Sequence, residues 1–276
     1  MKKKTNKNVS RSFPVTFLSE ADKIQGWFYP AAGNAGKAPF PTVILIPGYI
    51  PGKKDCLILG SRLRKSGINA LHFTYRGTWK SEGTFTHLTS LADVGSAIAF
   101  LKSPKVAKKL KVDPDNIILA GYSFGGGMAL LGSLKDASIH KVVSIAGANL
   151  GELARQCLED EEFRKEGEQY HDQTYASGSM ARGMGGKAFV DLVIQTKDEF
   201  DLLKYSEALA VKDILLIGAW RDKDATIERY ILPIYRALQK SGAGKLGIEG
   251  YDVDHSFSGV KRQLAARIIK WIKSNS

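Results

Sequence analysis

Cysteine is scarce: Cys56 and Cys157 are the only two in 276 residues. Two thiols cannot build the multi-bridge framework of a small secreted domain, and they are too few for a metal cluster. They read as two free thiols or as a single pair. Long hydrophobic runs are missing too, with nothing near the ~18 apolar residues needed to span a bilayer. The basic opening MKKKTNK leads into NVSRSF without the apolar segment of a signal peptide, so a cytoplasmic protein with no membrane partner is expected. Acidic charge is short: 28 Asp and Glu against 40 Lys and Arg leave a net +12. The surplus is scattered over MKKKTNK, KVAKKLK (105–111) and single lysines, and nowhere alternates with aromatics. A solvated basic surface with no nucleic-acid partner is the reading.

Short apolar runs bounded by turn residues are plentiful. SFPVTFL (12–18) and KIQGWFYP (23–30) read as an opening pair of strands, and AAGNAGKAP as a loop. PTVILIPG (41–48) is a continuous β-branched run, as in a strand buried on both faces. A helix is expected over 56–66, then the strand INALHFTY (68–75) and the loop RGTWKSEGTFTH. The helix over 90–102 opens on Ser90 and Asp93, spaced as a capping box. The turn DPDN precedes the strand NIILAG (116–121), and GGGMALLGSL reads as helix. The strand HKVVSIAG (140–147) follows, then the strand DILLIGA (213–219) and a helix over 226–240. KLGIEGY (245–251) and a helix over 258–273 complete the chain. Alternating strands and helices after an initial strand pair imply an α/β fold with a mostly parallel, doubly wound sheet. Residues 150–205 break the rhythm with a charged, helical stretch and the Gly- and Ser-containing ASGSMARGMGG. The chain therefore reads as a single domain: one half of a core over 1–149, an insertion over 150–205, and the rest of the core over 206–276.

GYSFGGG (121–127) sits between a strand and a helix. A Walker loop would need a lysine and a hydroxyl residue after its last glycine, where this chain has Met128 and Ala129. The nominal G-x-G-x-x-A of Gly183, Gly185 and Ala188 follows no strand. No phosphate-binding cofactor is expected, and no metal. Gly121-x-Ser123-x-Gly125 instead fits a strand-to-helix elbow that lifts the serine Oγ clear of the sheet. The amide of Phe124, at the helix N-terminus, then faces an oxygen that gains charge at the reacting carbon.

A serine nucleophile needs a base and an acid. His255, in YDVDHSF, is the one histidine after the serine that lies just past a strand and before a helix. His72, His87, His140 and His171 fall within a strand pattern, in loops or at element edges, where structural or solvated roles are expected. After DILLIGA come Asp222 and Asp224. Asp222 is nearer the strand end and is preferred, since Asp224 suits the start of the next helix. Asp254 adjoins His255 in sequence, so their side chains diverge.

GYSFGG, ILIPGY, FTYRGTWKSEGTF, LLIGAWRD and DHSFSGVKRQLAARIIKWI together make nearly the whole chain resemble the α/β-hydrolase superfamily, in particular its small serine esterases and dipeptidyl-aminopeptidase-like members. The resemblance implies an antiparallel N-terminal edge to the sheet and a short helical cap from residues 150–205. It implies catalysis by Ser123, His255 and Asp222, without a cofactor. It also places a second oxyanion amide at Tyr49, although Pro47 stands where the family usually has histidine. The Tyr49 ring could narrow or line an acyl pocket. Tyr170, Tyr175, Met180, Met184 and Phe189 are candidates for a pocket entrance or for simple packing. Cleavage of a small carboxylic ester is the leading expectation. A peptidase would need an acidic pair, for which the run Glu159, Asp160, Glu161, Glu162 is the candidate. Acyl transfer, or binding without catalysis, are the other readings.

Overall fold

The computed structural model describes residues 12–32, 39–49, 56–176 and 181–274. The basic start MKKKTNK, most of AAGNAGKAP and Met180 lie outside them. Two strands open the described chain: β1 (Phe13–Ser19) and β2 (Asp22–Tyr29), which pair antiparallel. Six more follow: β3 (Phe40–Ile46), β4 (Asn69–Phe73), β5 (Val112–Tyr122), β6 (Lys141–Ile145), β7 (Asp213–Ala219) and β8 (Leu246–Tyr251). They form one sheet in the order β1-β2-β4-β3-β5-β6-β7-β8, parallel from β4 onward and antiparallel at the β1–β2–β4 edge. The central strands are buried on both faces because helices cover both; every residue of β7 is buried.

The crossovers are α1 (Leu59–Lys65), α2 (His87–Lys102), α3 (Pro104–Leu110), α4 (Phe124–Ser133) and α9 (Leu232–Lys240), and α10 (Lys261–Ser274) follows the last strand. Between β6 and β7 the chain inserts α5 (Leu150–Glu159), α6 (Glu161–Ala176), α7 (Gly186–Gln195) and the short α8 (Ser206–Ala210). A backbone bridge between Phe85 and Gly183, with Phe85 N donating to Arg182 O, ties this insertion to the loop after β4. Among the described residues no helix is long and apolar enough to cross a membrane. Cys56 and Cys157 both remain thiols, unbridged.

Local readings fail where one side chain has two possible uses. Helix α2 starts one turn before Ser90. Its cap is Thr86, whose hydroxyl accepts from the Thr89 amide while Thr89 Oγ1 accepts from the Thr86 amide. Asp93 is not a capping residue: fully buried, it accepts from the amide and Nε of Arg76. DPDN is not a turn ahead of a strand but a bulge within β5, since Phe40 pairs with Val112 and Thr42 with Ile117. KVAKKLK forms α3, burying Ala107 and Leu110 and leaving Lys108 and Lys109 in water. The helix read over 226–240 opens as a wider turn at Ile227–Ile231 before α9, and α10 starts at Lys261.

Candidate active site

Ser123 stands between the end of β5 and the first residue of α4, with φ 56° and ψ −125°. That region is nearly closed to L-residues and costs of order 1–3 kcal/mol, so surrounding contacts must enforce it. Three hydrogen bonds do: the Ser123 amide donates to Ile145 O at 2.8 Å, and its carbonyl accepts from Gly126 N and Ala148 N at 2.7 and 3.1 Å. Close packing explains the flanking glycines. A Cβ on Gly121 would strike the Gly125 carbonyl, and one on Gly125 would strike the carbonyls of Ile46 and Pro47 at the end of β3. Phe124 is the first residue of α4, so its amide has no acceptor within the helix.

His255 lies in the loop between β8 and α10. Its Nε2 is 3.0 Å from Ser123 Oγ and its Nδ1 is 2.6 Å from Asp222 Oδ2. A carboxylate can only accept, so Nδ1 carries the proton and Nε2 is left to accept from the serine hydroxyl. Asp222 follows β7 and its side chain is fully buried. Its other oxygen accepts from the amides of Asp224 and Ala225 at 2.8 and 2.9 Å. Burial alone would raise the Asp222 carboxyl; the bonds from His255, Ala225 and Asp224 outweigh it and hold the group below its ordinary value. The structure thus brings together Ser123, His255 and Asp222 from three separate strand ends. Asp224 contributes its amide and not its carboxylate. Asp254 points elsewhere, accepting from Ser256 Oγ and the Ser258 amide.

Tyr122, inside the elbow, is a contributor the sequence pattern did not single out. Its hydroxyl donates to His255 O at 3.0 Å and its ring lies 5.1 Å from the imidazole. Asp222, Asp224 and His255 present ligand atoms within 4.8 Å of one another, but both imidazole nitrogens are already engaged by Asp222 and Ser123.

Gly48 lies against the elbow, where a Cβ would sit 3.4 Å from Ser123 Cβ, so the next residue, Tyr49, begins beside Ser123. The Tyr49 ring packs among Phe85, Phe124, Phe189 and His171, with centroids 5.7–6.2 Å away. Of the entrance candidates, Phe189 is buried in this cluster, Tyr175 is part-buried against His171, and Tyr170 is largely exposed. The acidic run has other uses: Asp160 caps α6 by accepting from the Glu162 and Phe163 amides, and Glu161 pairs with Lys165.

A sequence model of the alpha/beta hydrolase family matches residues 43–261, from the third strand into the last helix. The chain belongs to the alpha/beta hydrolase family. Among curated relatives, the uncharacterized protein YfhR of Salmonella typhi is 31% identical over 117 residues, and that of Escherichia coli strain K12 is 30% identical over 107. These matches cover 42% and 39% of this chain and only 38% and 36% of the relatives' own length. Similar folds extend much further. The Pyrococcus furiosus esterase Pf2001 superposes with a TM-score of 0.72 at 20% identity, over 99% of this chain and 95% of that one. Est1E from Butyrivibrio proteoclasticus, in a structure with ferulic acid bound, superposes with a TM-score of 0.71 at 18% identity, over 94% and 98%. At such identities the likeness is one of fold.

Proposed function

We propose that the protein is a serine hydrolase that cleaves carboxylic esters through an acyl-enzyme intermediate. The observation carrying this reading is the continuous chain of short contacts from Asp222 through His255 to Ser123, at 2.6 and 3.0 Å, with the serine held in a strained elbow. His255 Nε2 takes the Ser123 proton as Oγ bonds to the ester carbon. The carbonyl electron pair moves onto oxygen, which the amides of Tyr49 and Phe124 stabilise. Collapse of this intermediate breaks the ester C–O bond, and His255 returns the proton to the departing alcohol. Water then attacks the acyl-enzyme with His255 as base, releasing the acid and restoring Ser123. Asp222 holds the imidazole in the required tautomer and stabilises the cation formed at each step. The insertion acts as the cap that selects substrate, a small ester or short acyl compound.

Ser123→Ala should abolish turnover of p-nitrophenyl acetate and labelling by a fluorophosphonate while leaving the circular dichroism spectrum unchanged. Full activity in that variant would sink the assignment. A panel of p-nitrophenyl esters against aminoacyl-p-nitroanilides distinguishes ester from amide cleavage, with faster turnover of the esters expected.

A further inference from the structure

The Tyr49 N–H, which the proposed chemistry uses, lies in a backbone stretch, Pro47 to Tyr49, that phenols brace from two sides. From the core, Tyr75 is fully buried and its hydroxyl donates to Pro47 O at 2.8 Å. From the other side, the Tyr49 hydroxyl meets Nδ1 of His171, a residue of α6 in the insertion. His171 is itself immobilised. It is 2% exposed, its Nε2 lies 3.0 Å from Met184 O, and its ring stacks on Phe189 at 4.2 Å and 19°. Tyr175 covers it at 4.4 Å. A carbonyl only accepts, so Nε2 carries the proton and Nδ1 accepts from Tyr49. Burial keeps both partners in these roles: it pushes the Tyr49 phenol well above its ordinary range, so it remains a donor, and pushes the His171 imidazole down, so it remains neutral.

We infer that His171 is a positioning residue for ester cleavage, through which the insertion fixes Tyr49 and hence the oxyanion-binding amide. The insertion therefore has a part in the chemical step as well as in choosing substrate. This rests on the serine-hydrolase reading above. A side chain that fixes an oxyanion donor affects the transition state more than the bound substrate, so its loss appears in kcat and leaves KM almost untouched. A side chain that only packs the insertion would show itself in stability or KM.

The test uses p-nitrophenyl acetate and a trifluoromethyl ketone, which adds Ser123 Oγ to form a tetrahedral oxyanion. In His171→Leu, kcat should fall about tenfold, less than the 100- to 1,000-fold for removing an oxyanion donor outright. KM should stay within about twofold, and affinity for the ketone should fall by a factor similar to that for kcat. Tyr49→Phe, which lacks a single oxygen, should behave alike and carries the test if His171→Leu fails to fold. The double variant should be no worse than the poorer single, because both remove one interaction. His171→Asn, which keeps an acceptor near the Nδ1 position, should recover most of the loss. If Ser123→Ala is dead while folded His171→Leu and Tyr49→Phe keep wild-type kcat, or lose only in KM, this inference alone fails. Turnover surviving in Ser123→Ala overturns the serine-hydrolase reading and this one with it.

Discussion

At the scale of single residues, Asp222 shows how the site depends on satisfied burial. Its carboxylate accepts one bond from His255 and two from backbone amides, so the charge is stabilised where water cannot reach it. In the proposed mechanism, Asp222→Asn leaves the imidazole in the wrong tautomer, and kcat should fall roughly 1,000- to 10,000-fold, measured with p-nitrophenyl acetate. The same bonds carry a stability consequence. The folded carboxyl is held below its unfolded value, so its contribution is complete above an unfolded pKa of about 4 and fades as pH falls through the lower folded value. The stability gap between wild type and Asp222→Asn in urea titrations should therefore be widest at neutral pH and narrow in strong acid. His87 works with the opposite charge. Burial pushes its imidazole down to about 4; Nε2 bonds Thr196 at 2.7 Å, and Nδ1 has no hydrogen-bond partner among the described residues. The unfolded chain takes up the proton first as pH falls from about 6.5, so stability should drop between there and pH 4, by about 3 kcal/mol at most. His87→Asn should flatten that slope in stability measured against pH.

At the scale of elements, the loop after β4 is held by Arg76. Its guanidinium reaches Asp93 on α2, Ser19 at the end of β1 and Glu20 beyond it. Arg76 and Asp93 side chains are 4% and 0% exposed. Removing Arg76 strands the Asp93 carboxylate in a dry site, so Arg76→Ala should cost roughly 3–5 kcal/mol in urea unfolding. This pair also shows where sequence patterns mislead. Asp93 has the spacing of a cap, and only the fold reveals that Arg76 claims it. By contrast, the runs of β3, β5 and β7 were legible because burial on both faces demands a continuous apolar stretch, which few other structures tolerate. Ser123 and Asp222 each follow such a run, so their places at strand ends could be counted from sequence; His255 follows the part-buried strand β8 and was placed by the strand pattern before it and the helix pattern after it. The bond between Tyr49 and His171 was not. It joins residues 122 positions apart, and His171 carries no local mark that separates it from an ordinary buried histidine. Thr86 escaped notice because its partner Thr89 is not the Glu or Gln that advertises a capping box.

At the scale of the whole molecule, Ser123, Asp222 and His255 follow the ends of β5, β7 and β8, so the candidate site exists only when the sheet is complete. Helix α10, which follows the loop of His255, buries Leu264, Ile268, Trp271 and Ile272. Ile268→Ala should cost about 2–5 kcal/mol through the cavity it leaves. Because the site is shared across the sheet, the urea midpoint for activity should shift along with that for circular dichroism.

The order of elements along the chain also bears on the protein's synthesis. Ser123 emerges from the ribosome with β5, long before β8 and the loop that holds His255. A nascent chain ending before residue 246 carries the elbow but neither the imidazole nor the strand that positions it. Under the proposed mechanism such a chain lacks the base for Ser123, and acylation would begin only once the C-terminal strand and helix have been made and docked. On that mechanism the order of translation itself delays the reactivity of Ser123 until the rest of the sheet is in place.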